Sequence, residues 1–411
     1  MKKFFKRQSP LGRRRWGQVG VLALAVFAFT LVRVQLRSTR DDGEERLAYL
    51  AQRISHHDYM GVAPGHPFDG EWRLGVLSTS SIAATNLAMR DPSKRAENAR
   101  LVSQWARLLA SDEVRAYDTK QWGSDALETL ARSEAHAGYL GHLLLAMDAA
   151  CLLGGERDEQ LHRAIVDSLA RRIANAPEGL IETYPGEIYV PDNVVVMAGI
   201  MQFDVCMGFS PAAPPAERGR AEHAPLYERW EKLMRARWID EDNGLLVFAP
   251  GQPARGSGAA WNSFFLPLVN PAFAAEQSPR MWRTFGDSAL AGWLGGIDEA
   301  KPGDARGGDV DSGPLILGVS PSATGFALAD ATLRDRPERD AILHTAELVG
   351  FTWGGQYVFS PLVGDAITLA AKTMTPWRKL ESSQKDYYGV VTTPYDRSLP
   401  RSADDGPEGG P

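Results

Sequence analysis

The chain has 411 residues, 44% hydrophobic and 23% charged, enough to bury a sizeable core and too apolar for a disordered polymer. Its first forty residues carry ten Lys or Arg and no Asp or Glu, which leaves 35 basic against 51 acidic residues, formally −16, in the remainder. A body that acidic lacks the electrostatic footprint of a nucleic-acid-binding protein.

The basic head, residues 1–15, contains Lys2, Lys3, Lys6, Arg7, Arg13, Arg14 and Arg15 and precedes an uncharged apolar run, Trp16–Val32. Arg33 can snorkel to the interface and let Val34 and Leu36 extend the run, so residues 16–36 read as a single transmembrane anchor. Positive flanks stay cytoplasmic. The expected topology is therefore an N-terminus inside the inner membrane and a main domain, 41–396, on the periplasmic side. A cleaved signal peptide is the alternative. Its small-residue pattern, Ala23-Leu24-Ala25, lies inside the apolar run, and cleavage there would leave Val26–Val32 exposed, so an uncleaved anchor is expected. The Arg13-Arg14-Arg15-Trp16 stretch lacks the residues that normally follow a twin-arginine pair.

Residues 41–60 read as an acidic, then amphipathic helix with Leu47, Leu50 and Ile54 on one stripe. Next comes a clear pair. Residues 136–153 are apolar on nearly every side and stop at Gly154-Gly155, while 156–175 place Leu161, Ile165, Leu169 and Ile173 at four-residue spacing and stop before Pro177. One helix is thus buried all round and its successor half-exposed. The alternation recurs. Asp192 or Asn193 is expected to cap an apolar helix running to Met207, followed by a connector with Pro211, Pro214 and Pro215 and a charged helix carrying Leu226, Trp230, Leu233, Met234 and Arg237. Further apolar helices are expected at 258–269, 322–333 and 363–373, with polar partners near 280–290 and 338–349. A short strand, Leu245–Phe248, follows a turn at Asp242-Asn243-Gly244, and the segment after Arg397 has the composition of a disordered tail. Buried inner helices, each with an amphipathic partner, describe an all-α toroid of about six helical hairpins. A helical solenoid is the alternative, without a repeat of fixed period to support it.

Cysteine occurs twice, at 151 and 206, which excludes a disulfide-rich scaffold and a multi-cysteine zinc site. The two can pair in an oxidising compartment, but both lie in apolar runs, and buried free thiols are the expectation.

Three stretches can carry chemistry at the mouth of such a fold. The first is Trp122-Gly123-Ser124-Asp125 leading to Tyr139-Leu140-Gly141-His142; the second is Glu182–Asn193; the third is the loop 295–313, with Asp309 and Asp311. Each has a plain structural alternative. His142 lies among leucines and can be a hydrogen-bonded core residue, Asp192 and Asn193 can serve as helix caps, and the Asp309/Asp311 pair starts like a calcium loop but lacks the later ligands, so no metal is expected. The second stretch, with Tyr184, Glu187, Tyr189 and Asp192 in nine residues, is the strongest candidate, because phenols and carboxylates together bind hydroxylated ligands and move protons. There is no HExxH, GxSxG, phosphate-binding glycine loop or dinucleotide fingerprint, which argues against zinc proteases, α/β-hydrolases, ATPases and NAD enzymes and implies no cofactor.

Over about residues 100–375 these features resemble the linalool dehydratase/isomerase family. The match is carried by Tyr139-Leu140-Gly141-His142 and its leucine-rich helix, the Gly154 stop, the helix 156–175 and Pro191-Asp192-Asn193. Trp122-Gly123 and the region from Asp309 through 322–333 match more weakly. The resemblance implies a periplasmic lyase/isomerase built as an α/α toroid, with an active-site histidine at His142. It also places the family's catalytic cysteines at the positions of Tyr189 and Ala198, so both thiols are lost here. Asp58 and Tyr59 are the nearest counterparts of the family's early Asp/Tyr pair. The implied activity is acid–base lyase or isomerase chemistry on a small hydroxylated, terpenoid-type substrate. Tyr189 or Glu187 would exchange protons, His142 would assist, and Trp122, Asp125, Tyr139, Tyr184, Asp192, Asn193, Asp309 and Asp311 would line the substrate site. A glycan-active enzyme using Asp125, Glu187 and Asp309, or a non-catalytic envelope protein, are the competing readings. The partners expected are a small-molecule substrate and the membrane, with a homo-oligomer left open.

Overall fold

The computed structural model describes residues 10–61, 68–209 and 221–380, apart from 302, 305, 306 and 310. The start of the basic head, the Pro211–Pro215 connector and the tail after Arg397 lie outside the described residues. Helix α1 (Pro10–Ser38) contains a stretch, Gln18–Ser38, long and apolar enough to cross a membrane. The remainder is mostly helical: α2 (Gly43–Ser55), α3 (Asp69–Arg90), α4 (Arg95–Leu109), α5 (Asp112–Trp122), α6 (Ala137–Leu153), α7 (Glu159–Asn175), α8 (Val190–Cys206), α9 (Ala224–Arg237), α10 (Gly256–Val269), α11 (Pro271–Phe285), α12 (Pro321–Leu333), α13 (Glu338–Gly350) and α14 (Leu362–Lys372).

Burial follows the alternation in the sequence. Every residue of α6 is buried, whereas α7 buries a stripe containing Ile165, Val166, Leu169 and Ile173 and turns its charges outward apart from Arg172, which bonds the Ala135 and Thr129 carbonyls. Local signals set the ends. Gly154, with φ of 72°, closes α6 in the left-handed conformation that glycine adopts without a Cβ penalty, and the Asp158 carboxylate accepts from the Leu161 N–H to open α7. Asn270 and Ser320 cap α11 and α12 in the same way.

The mostly buried helices contact one another in cyclic order: α3 with α6, α6 with α8, α8 with α10, α10 with α12, α12 with α14, and α14 with α3. They run parallel. Gly75 faces Val363 near the start of α3 and α14, and further along both helices the Asn86 side-chain amide donates to the Ala370 carbonyl. Gly141 faces Val196 and Leu144 faces Gly199 between α6 and α8. The starts of α10 and α12 meet at one segment, where Gly256 N–H bonds the Glu299 carbonyl and Ser320 N–H the Ile297 carbonyl. In each of these three pairs the two N-termini therefore lie at the same end, the mouth, with the loops that lead into them. Arg46, buried on α2, bonds Asp42, Glu347 and Thr352 and ties α2 to the α13–α14 region.

Four sequence expectations change. Leu245–Phe248 forms only a bridge between Ile239 and Leu246, and on its other edge the Leu246 N–H is taken by the Gln277 side chain instead of a partner strand. Where polar helix was expected near 280–290, α11 ends at Phe285, and a hairpin of β1 (Gly286–Ala289) and β2 (Leu294–Ile297) follows; a second, β3 (Thr352–Trp353) with β4 (Gln356–Tyr357), precedes α14. Neither Asp192 nor Asn193 caps α8, which starts at Val190 with Pro191 in its first turn, where a proline lacks no bond it would otherwise make.

The cysteines are the fourth correction. Cys151 and Cys206 are not free thiols but a disulfide, with Cα atoms 5.9 Å apart. The contacts of Gly141 with Val196 and Leu144 with Gly199 share the 55-residue offset of the two cysteines, so the parallel register of α6 and α8 carries both sulfurs to the same level. Burial of each cysteine was legible in its apolar run; the register was not. Alkylation of the denatured, unreduced protein should label neither cysteine, and labelling after reduction should reach both. Reduction should cost about 2–4 kcal/mol of stability in a denaturant titration.

Candidate functional site

The loop before α8 is folded by two devices. Pro185-Gly186 makes a tight turn, with Gly186 at φ of 78° and the Glu187 N–H donating to the Tyr184 carbonyl at 2.9 Å. Asn193 clamps the loop: its amide oxygen accepts from the Ile181 N–H at 2.8 Å, and its amide nitrogen donates to the carbonyls of Ile181 and Tyr189 at 3.0 and 2.9 Å. A Cβ at Gly138, in the first turn of α6, would sit 2.9 Å from the Thr183 methyl, so glycine there lets the loop lie against the helix.

This places Tyr184 over the start of α3. Its hydroxyl donates to the Glu71 carboxylate at 2.6 Å. Burial pushes the Glu71 pKa up to about 7, and the carboxylates of Asp192, Asp311 and Glu187 add to the shift against the opposing bond from Tyr184. Asp192 accepts from the Thr183 hydroxyl at 2.9 Å, and burial, reinforced by Asp311, takes it up to about 7 as well. Tyr117 completes the group. Burial holds its phenol well above the ordinary value, with Asp118, Glu71 and Asp192 adding to the shift, and its hydroxyl has no hydrogen-bond partner among the described residues. Two carboxyls that change protonation near neutrality, beside buried phenols, can give and take protons at one place.

Around this cluster the remaining groups are already engaged. The Tyr189 hydroxyl donates to Glu187 at 2.9 Å, its ring lies 5.2 Å from that of Phe248, and burial with the Glu187 bond takes its pKa to about 12. The Arg255 guanidinium stacks 3.5 Å over Phe248 and bonds both Asp309 and Asp311, with the buried Glu299 3.4 Å from its Nε. Glu299 in turn accepts from the Ser257 N–H and hydroxyl at 3.0 and 2.8 Å. Asp309 also accepts from the N–H groups of Asp311 and Ser312, forming a local turn.

His142 is deeper. Its Nδ1 lies 2.8 Å from the Ser78 hydroxyl, and its ring meets Trp261 and Phe265 edge-on at 5.7 and 5.8 Å. Burial pushes its pKa down to about 4, so the imidazole is neutral at neutral pH. Ser78 follows Glu71 by seven residues on α3, two helical turns, which puts His142 roughly 10 Å below Glu71 on the same face. Removing the hydroxyl in Ser78→Ala should cost about 1 kcal/mol in a thermal or denaturant melt, the net value of one buried hydrogen bond.

Three residues expected at the site are engaged elsewhere. Trp122 packs on His136 at 4.4 Å, and His136 is held by Asp118 and Thr129. Asp125 accepts from Arg115 and from the Leu127 N–H, and the Tyr139 hydroxyl donates to the Leu109 carbonyl. Asp58 pairs with Arg53, and Tyr59 is buried. Sequence reading missed Glu71, Tyr117 and Arg255, and gave Thr183, inside the stretch 182–193, no role of its own. Glu71 and Asp69 begin an apolar helix, where acidic residues are ordinary partners of the helix dipole, so nothing local marks Glu71 as different. No protein-family model matches the chain, and no curated protein matches it.

Proposed function

We propose that this chain is a membrane-anchored lyase or isomerase of the linalool dehydratase/isomerase type, an α/α toroid that acts by acid–base chemistry on a small hydroxylated, terpenoid-type substrate at its mouth. The toroid reading is supported by the cyclic order of the parallel buried helices and by the antiparallel outer partners that their connectivity requires. An anchor in the inner membrane with the domain in the periplasm is supported by the apolar stretch of α1 behind a basic head, and by a disulfide, which persists in oxidising compartments.

The observation that carries the reaction is Glu71, bonded to Tyr184 and poised near neutrality beside Asp192. In a dehydration, protonated Glu71 gives its proton to the substrate hydroxyl, the C–O bond breaks and water leaves. Ionised Asp192 takes a proton from the neighbouring carbon, whose electrons form the alkene. The proton returns from Asp192 to Glu71 through solvent, and the reverse steps at a different carbon give isomerisation. Tyr184 orients Glu71, and Tyr117 offers a free hydroxyl to the substrate. His142, neutral and deeper, stands below the cluster beside Trp261. The glycan reading has less support, because two of its three carboxylates, Asp125 and Asp309, are engaged by arginines.

The test is turnover by the detergent-solubilised full chain on a panel of unsaturated tertiary alcohols beginning with linalool, with water loss and allylic rearrangement followed by gas chromatography. Product that depends on Glu71 and Tyr184 supports the reading. Product formation indifferent to Glu71→Gln, or none from any alcohol while oligosaccharides are cleaved, overturns it.

A further inference from the structure

Apart from Met207, every exposed large hydrophobic side chain among the described residues lies either on α1 or between Leu290 and Phe359. The second group is one surface. The β1–β2 hairpin carries Leu290 at its tip and packs on α13, where Trp293 stacks on His344 at 4.6 Å. At the base of that hairpin, the bridge from Asp298 to Val319 brings in the loop with the fully exposed Leu317. Backbone bonds from Val358 to Phe351 and from Phe359 to Gly350 join the second hairpin, with the exposed Trp353, to the end of α13. These segments all lead into the N-termini of α12 and α14, so the surface is part of the mouth rim. It is continuous with the apolar helix. A groove of about 550 Å³ is lined on one side by α1 from Val19 to Leu31 and on the other by Leu290, Trp293 and Leu348.

The charges give its depth. Arg33, the first charged residue after the apolar run of α1, lies 3.8 Å from Glu347 and 4.0 Å over the Phe351 ring. That pair marks the water boundary, and Leu290, Trp293 and Leu348 lie beside α1 on its N-terminal, apolar side. The segment of α1 they flank is roughly 18 Å long at 1.5 Å per residue, more than half of a hydrocarbon core. A helix that crosses a bilayer with Val19–Leu31 in the acyl region carries these neighbours in with it.

We propose that this rim is a second membrane contact: Leu290 and Leu348 enter the acyl region of the leaflet from which α1 emerges, with Leu317, Phe351, Trp353 and Phe359 at its interface, so the domain lies in the membrane surface and does not hang from a tether. The chemistry fits lipid. The exposed side chains are aliphatic and aromatic, tryptophan favours the interface, and the first ion pair sits where headgroups begin. The proposal does not depend on the acid–base reading.

The test uses the full chain, one copy per lipid nanodisc, with a single environment-sensitive nitrobenzoxadiazole label. Trp353→Cys and, separately, Phe359→Cys accept the label because the native cysteines are paired; Glu156→Cys, 92% exposed and in the α6–α7 connection at the opposite end, is the reference. Nitroxide on the lipid acyl chain should quench the labels at 353 and 359 at least twofold more than the label at 156, with blue-shifted emission at both. Equal quenching at all three positions overturns the proposal. So does a blue shift at 353 and 359 that appears only in discs loaded with two copies, which would make the rim a contact between chains.

Discussion

Glu71→Gln is expected to lower turnover by about 10²–10⁴-fold, the range for loss of one general acid. Gln keeps the size of the side chain and can still accept from the Tyr184 hydroxyl, so the loss should come without a comparable loss of stability. The pH dependence separates a chemical role from a structural one. The pKa of Glu71 is raised from 4.5 to about 7, and as the acid it must be protonated, so turnover should fall as pH rises through 7. Asp192, raised from 3.8 to about 7, must be ionised as the base, so turnover should also fall as pH drops below 7. The two limbs make a narrow bell that belongs to the pair. Tyr184→Phe should move the alkaline limb upward, because the Tyr184 bond lowers the Glu71 pKa. Stability has the opposite dependence to that of an ion-paired acid. A carboxyl whose folded pKa is raised contributes fully below its unfolded value and loses that contribution as pH rises through the folded one. The wild-type chain should therefore lose stability relative to Glu71→Gln between about pH 5 and pH 8, read from melting temperatures in one detergent.

Arg46→Met should be the most destabilising single change outside the apolar core, by about 3–5 kcal/mol. Arg46 is 2% exposed and bonds Asp42 at 2.8 Å, Glu347 at 3.3 Å and Thr352 at 3.0 Å, while Asp365 lies 3.9 Å away and the Tyr357 ring 4.1 Å beneath. Methionine fills much of the space but leaves those buried carboxylates short of their cation, with Lys372 on Asp42, Arg33 near Glu347 and the field of Arg53 at Asp365 as partial cover. The loss should be smaller at pH 5 than at pH 8, because the stranded carboxylates can protonate; burial already holds Asp365 up at about 7. Urea titration of the full chain at both pH values measures this. A loss under about 1 kcal/mol at pH 8 would mean that the cluster is not what ties α2 to α13 and α14.

How much was legible follows from the range of each signal. The α6–α7 pair could be read from composition and Gly154 because burial on all sides, a half-buried stripe and a glycine stop are local properties. The same holds for α10, α12 and α14, which lie within two residues of their expected ends. The β1–β2 hairpin was missed because Gly286–Ala289 is exposed along its length and carries no alternation to detect. At the site, the phenols and carboxylates of 182–193 are concentrated in one stretch and stood out. Glu71 did not. It lies 113 residues from Tyr184, and only the packing of parallel α3, α6 and α8 brings the two together. The disulfide was hidden for the same reason, since it depends on the register between two helices.

Infrared difference spectroscopy across a pH titration tests, without any substrate, that Glu71 is a carboxyl poised near neutrality at the mouth. A protonated-carboxyl band should disappear from the spectrum of the full chain as pH rises through about 7, and Glu71→Gln should remove that band while leaving other titrating carboxyls in place. A spectrum in which no band titrating near 7 is lost in Glu71→Gln would contradict the account.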